Sequence, residues 1–138
     1  GGMVGETITA MPGSSDYFRG GIVAYDLEAK ENMLGVDRGL LRSRGAVNEE
    51  VAKAMAGGVR GRFSSDLGIA LTGVAGPDRG GEDESPGTVA FGLADKTGTY
   101  GWKYRLPGDR EMVRRFATTI ILTITLLYLR GEDVSHVR

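Results

Sequence analysis

The sequence predicts an α/β protein, a three-layer α/β/α sandwich around a mixed β-sheet. Capped helical segments alternate with short apolar runs of strand length, the pattern of a sheet covered on both faces. Two late strand-like runs flank a Lys96-Thr97-Gly98 turn and add an antiparallel hairpin, which makes the sheet mixed. The length of 138 residues with 41% apolar residues suits one domain with a real core.

The elements follow in order. Met3 to Met11 reads as a helix, because Val4, Ile8 and Met11 recur at helical spacing, and Pro12-Gly13 ends it. Gly21-Ile22-Val23-Ala24-Tyr25 is apolar and reads as a strand. Glu28 to Leu34 is a short helix closed by Gly35. Asn48 is an N-cap, Glu49 and Glu50 complement the helix dipole, and the stripe Val51, Met55, Val59 carries that helix to about Arg62. Leu67 to Thr72 is a short buried strand that stops at Gly73. Gly73 to Gly87 is a long Gly/Pro/acidic loop, a type that is usually functional or disordered. Thr88 to Ala94 and Thr99 to Leu106 form the hairpin. Pro107-Gly108-Asp109 then breaks the chain, and Asp109 caps a final helix. Residues Thr118 to Thr125 are β-branched and favour a strand on propensity. The cap, the Met112, Phe116, Ile120 spacing and the length favour a long buried helix instead.

Composition removes several classes of function. Lys and Arg total 17 against 18 Asp and Glu, so the basic excess of a nucleic-acid module is missing. The absence of cysteine rules out disulfides, thiolate metal sites and a cysteine nucleophile within this chain, and it fits a cytoplasmic protein. The first residues lack the basic and then apolar pattern of a secretory leader. The longest apolar stretch, Phe116 to Leu129, is shorter than the ~20 residues that span a bilayer. Glycine is abundant at 23 residues, with clusters such as Gly73 to Gly81, which suit tight turns or a close backbone approach to a ligand.

Open α/β sheets bind ligands at the carboxyl ends of their strands, and two such ends are marked by Tyr25 and by Thr72-Gly73. Lys30 falls about one turn into the helix after Tyr25, so both can face one cleft. A lysine becomes a general base where burial lowers its pKa, and a tyrosine hydroxyl can relay a proton or orient it. Spacing alone fits a solvated lysine beside a half-buried tyrosine better. Leu71 to Pro77 exposes backbone N–H groups able to hold an anion, or is a plain exit from a strand. It is neither a P-loop nor a dinucleotide fingerprint. Pro12-Gly13-Ser14-Ser15 offers hydroxyls for a phosphate or for capping. Arg110 can clamp a phosphate, Asp109 acts as the cap, and Arg114 and Arg115 read as solvated or as partner contacts. The run Glu82-Asp83-Glu84 reads as solvated. His136, the single histidine, lies in a polar tail that suits no catalytic triad.

Taken in order, these pieces form a specific set. Pro12-Gly13-Ser14-Ser15, Tyr17-Phe18, Gly20 to Tyr25, Glu28-Ala29-Lys30, Leu34-Gly35-Val36, Gly45-Ala46-Val47, Glu49 to Ala52, Ala54-Met55-Ala56, Thr72 to Pro77, Gly87-Thr88-Val89 and Gly108-Asp109-Arg110 stand in one line. Together they resemble the CinA C-terminal domain family, up to about Leu129. The resemblance implies an amidohydrolase that converts nicotinamide mononucleotide to nicotinic acid mononucleotide and ammonia, in pyridine nucleotide recycling. It implies no metal, no cofactor and usually a homodimer, with no membrane or direct nucleic-acid binding. It implies a serine–lysine mechanism in which Lys30 takes the serine proton and Tyr25 assists. Gly2, Ser14, Thr72, Gly73, Ala75 and Gly76 would cradle the nucleotide, and Arg110 would clamp its phosphate.

The family serine lies in a Glu-Ser-Cys-Thr-Gly-Gly motif, of which Gly1-Gly2 match the last two positions. Residues 1–138 therefore read as a single CinA C-terminal-like domain lacking its N-terminal helix, first strand and serine motif. Tyr25-Asp26-Leu27-Glu28 stands where Tyr-Ser-Asn-Glu is common, and Glu84-Ser85-Pro86-Gly87 where Lys-Pro-Val-Gly is common. Two other readings remain at this point, a catalytically inactive nucleotide-binding or scaffold domain and a purely partner-binding domain.

Overall fold

Caps dictate where most helices begin. The computed structural model describes residues 1–79 and 84–137, so Glu82 and Asp83 of the acidic run lie outside the described residues. Glu84, the third member of that run, is ion-paired with Lys103. Helix α1 is Met3–Thr9, two residues shorter than its spacing predicts, and a 3-10 turn at Ser14–Asp16 follows. Helix α2 is Leu27–Leu34, started by Asp26, whose carboxylate accepts from the Ala29 N–H at 2.7 Å. Gly35 closes it in the left-handed region, where a Cβ would be strained. Helix α3, Arg38–Arg44, is started by Asp37, which accepts from the Leu40 N–H at 2.8 Å. Asn48 caps α4, Glu49–Phe63, through the Val51 N–H at 2.9 Å.

Strand β1 is Gly68–Gly73, β2 is Thr88–Ala94 and β3 is Thr99–Arg105. Helix α5, Arg110–Leu129, is capped by Asp109, which accepts from the Met112 N–H at 2.9 Å. Its β-branched centre is helical, because the tertiary face outweighs the local propensity. Although it is long and apolar enough by length and composition to cross a membrane, its Val113, Ala117, Ile121 and Ile124 are buried on the sheet.

The sheet runs β1-β2-β3, with Ala70 opposite Gly92 and Gly92 opposite Gly101. Both pairings are antiparallel among the described residues, in keeping with the expected α/β fold. The expected strand at 21–25 is not in the sheet among the described residues. Its side chains do alternate, with Ile22 and Ala24 packing onto the α2, α3 and α4 core while Val23 and Tyr25 point outward. A strand needs a neighbour ≈ 4.8 Å away to form a ladder. This run and β1 instead line a common cleft.

Three layers result. Side chains from α2, α3 and α4 pack on one face of the sheet around Val51, Met55 and Ala70. Those of α5 pack on the other face, around Phe91, Leu93, Trp102 and Ile121, with Val4 of α1 alongside. Strand β2 serves both cores because successive side chains alternate faces. Val89, Phe91 and Leu93 meet α5, and Ala94 joins the α4 core. The C-terminal tail covers the β3 side, where the Trp102 indole donates to the Val134 carbonyl at 3.1 Å and the Tyr104 hydroxyl to that of Val137 at 2.7 Å.

Candidate functional site

A cleft opens beside β1. Its volume is about 2070 Å³, and it is walled by the extended run 20–25, by β1 and by the inner face of α5. Ligand pockets usually measure roughly 300–1,000 Å³, so this space exceeds what a mononucleotide fills.

Lys30 reaches the cleft from α2. Asp26 fixes the start of that helix, and one turn later the lysine side chain bends back so that Nζ donates to the Ala24 carbonyl at 3.0 Å. Only 6% of Lys30 is exposed, an unusual burial for a lysine. Tyr25 is the converse, with 74% exposed at the cleft mouth. Its hydroxyl accepts from Arg110 Nη2 at 3.2 Å, and Arg110 Nη1 donates to the Gly76 carbonyl at 3.0 Å. One guanidinium therefore joins the strand-like run to the loop after β1. A phenol oxygen that accepts in this way keeps its own O–H for a second partner.

Thr72 is buried, and its hydroxyl donates to the Ala46 carbonyl at 2.9 Å, so it ties the end of β1 to the segment before α4. Beyond it Gly73 is exposed, Ala75 half-buried and Gly76 buried at φ 93°, and all of them line the cleft. The Val74 N–H bonds to Thr88 O at 2.9 Å, which fixes the course of this loop. Gly2 also lines the cleft, just ahead of α1. Ser14 does not, because the 3-10 turn sets its neighbour Ser15 on the wall instead.

Arg114 and Arg115 separate. Arg115 pairs with Glu111 on the outer side of α5 at 2.8 Å, as expected for a solvated residue. Arg114 lines the cleft one turn beyond Arg110. The spacing of four residues between two arginines was the available signal, since such residues share a helix face. Among the described residues no three acidic or histidine side chains stand close enough together to hold a metal ion.

The profile of the CinA C-terminal domain matches residues 1–129. The chain belongs to the CinA family. A CinA-like protein of Frankia casuarinae is 47% identical over 131 residues, covering 95% of this chain and 30% of that protein. One of Geobacter metallireducens is 45% identical over 136 residues, covering 99% and 32%. The chain thus spans about a third of the length of these curated CinA relatives. Solved structures agree on the fold. The competence damage-inducible protein A (ComA) from Klebsiella pneumoniae superposes with a TM-score of 0.91 at 28% identity, over 96% of this chain and 83% of that one. A CinA superfamily protein from Escherichia coli gives 0.87 at 32% identity, over 94% and 74%.

Proposed function

We propose that this CinA-family chain supplies the base and the substrate-binding walls of an amidohydrolase acting on nicotinamide mononucleotide. The carrying observation is the meeting of buried Lys30, Tyr25, Arg110 and the Gly73–Gly76 loop around one cleft. In the reaction, a serine oxygen attacks the carboxamide carbon while the neutral Lys30 amine takes its proton. The tetrahedral intermediate collapses with loss of ammonia, which needs one proton returned to its nitrogen. Lys30 Nζ can return it, and the Tyr25 hydroxyl can relay it. Water then cleaves the acyl-enzyme to release nicotinic acid mononucleotide. The serine that the motif calls for stands just ahead of Gly1 in the register of the family. Lys30 is buried, and burial favours the uncharged form of an amine, which alone can accept a proton.

Ammonia release from nicotinamide mononucleotide, by a protein carrying the whole Glu-Ser-Cys-Thr-Gly-Gly motif, tests the reading. Lys30→Met is expected to abolish turnover with little change in melting temperature, since it exchanges a buried amine for an apolar chain of similar length. Wild-type turnover by Lys30→Met would remove the lysine from the mechanism. No ammonia from a folded protein with its serine present would sink the amidohydrolase reading. A second reading is binding of the nucleotide without turnover. Calorimetric binding of the nucleotide without ammonia release would support it.

A further inference from the structure

We infer that Arg114 is the side chain that reads the phosphate of the substrate, beside an arginine one turn earlier that is already bound to protein oxygens. The inference rests on the amidohydrolase reading and assigns a residue to the nucleotide end of that site.

Arg110 spends both of its terminal nitrogens on the protein, one on the Gly76 carbonyl and one on the Tyr25 hydroxyl. Turning it to a phosphate would break the tie between the two walls. Arg114 lies four residues later and so on the same face of α5. It is exposed and lines the cleft, and no ion pair or side-chain hydrogen bond engages its guanidinium among the described residues. That guanidinium reaches to 3.7 Å from where a Cβ on Gly1 would stand, so it points across the cleft toward the chain start. Two arginines therefore stand one turn apart on the cleft wall. The opposite bias on α5 is seen at Arg115, which is paired with Glu111 and turned outward. A phosphate monoester carries close to two negative charges, and a guanidinium meets two of its oxygens at once. Nicotinamide riboside lacks that group, so a cation at this end separates the nucleotide from the nucleoside.

Calorimetric titration of the wild-type chain and of Arg114→Gln with three probes tests this: nicotinamide mononucleotide, nicotinamide riboside and ribose 5-phosphate. Arg114 is exposed, so the variant is expected to melt with the wild type. Its affinity for both phosphorylated probes is expected to fall by about tenfold or more, and that for the riboside to stay within about twofold. Unchanged binding of both phosphorylated probes would overturn the inference and leave the amidohydrolase reading standing. Arg114-dependent binding of ribose 5-phosphate with no gain from the nicotinamide ring would uphold the assignment and sink the nicotinamide substrate. Failure of the wild type to bind any of the three would overturn both.

Discussion

On the α4 face of the sheet, glycines let backbone approach backbone closely, while on the α5 face large side chains fill the space. A Cβ placed on Gly92 would stand 2.2 Å from the Ala52 carbonyl oxygen, and one on Gly68 would stand 2.1 Å from that of Ala56. Gly58 does the same on the far side of α4, where a Cβ would meet the Leu34 carbonyl at 1.9 Å and press on α2. Glycine is needed at these positions for close approach. Across the sheet, Phe91 and Leu93 fill the space to α5 with rings and branched chains, and Phe91 lies 5.7 Å from the Tyr104 ring. The tight face carries Lys30 on α2, and the bulky face carries Arg110 and Arg114 on α5. Lys30 thus sits on the wall whose spacing is set by glycines, and Arg110 and Arg114 sit on the wall set by side-chain packing.

Gly92→Val is the strongest way to break this contrast. Overpacking costs about 1–3 kcal/mol where side chains can shift, but here the obstacle is a helix carbonyl, and the loss is expected to exceed that range. Loss of cooperative melting is the expected result; melting within a few degrees of wild type would show that the α4 face is not tight. Phe91→Ala attacks the other face. It removes a fully buried ring and is expected to cost about 3–5 kcal/mol by denaturant titration, with the fold retained. A cost near zero would mean that α5 collapses freely onto the sheet.

The smallest effect is expected at the hairpin turn, outside both faces. Hydrogen bonds from the Tyr128 hydroxyl and then from Thr97 hold the Asp95 carboxyl well below the usual carboxylate range. A depressed folded value means that this contribution is complete above the unfolded value, near pH ~4. It fades as pH falls toward the folded value. Asp95→Asn should therefore melt below wild type at neutral pH, with the gap narrowing under acid. A gap that stays constant down to pH ~2 would contradict the linkage.

Much of this was legible because it is local. Asn48 and Asp109 announce α4 and α5, and Lys96-Thr97-Gly98 announces the hairpin that Asp95 closes by accepting from the Thr97 and Gly98 N–H groups. What was not legible depends on distant partners. The run 21–25 alternates like a strand, yet a ladder is a property of two chains and its neighbour cannot be read from one. Helix α3 went unread because Leu40 and Leu41 are its whole apolar signal, although Asp37 was a usable cap. In the site, the Tyr25 and Lys30 spacing was visible, but the burial of one and exposure of the other were not. The bond from Thr72 to Ala46 spans 26 residues, and no local pattern foretells it.

The guanidinium of Arg110 works as a gauge. It touches one wall of the cleft at Tyr25 and the other at Gly76, so a single side chain sets the aperture between a run that no strand holds and a loop that the sheet does hold. Anything that displaces one contact is reported at the other. Filling the loop pocket thus retunes the tyrosine without any helix moving, and the precision of the site depends on the length of one arginine.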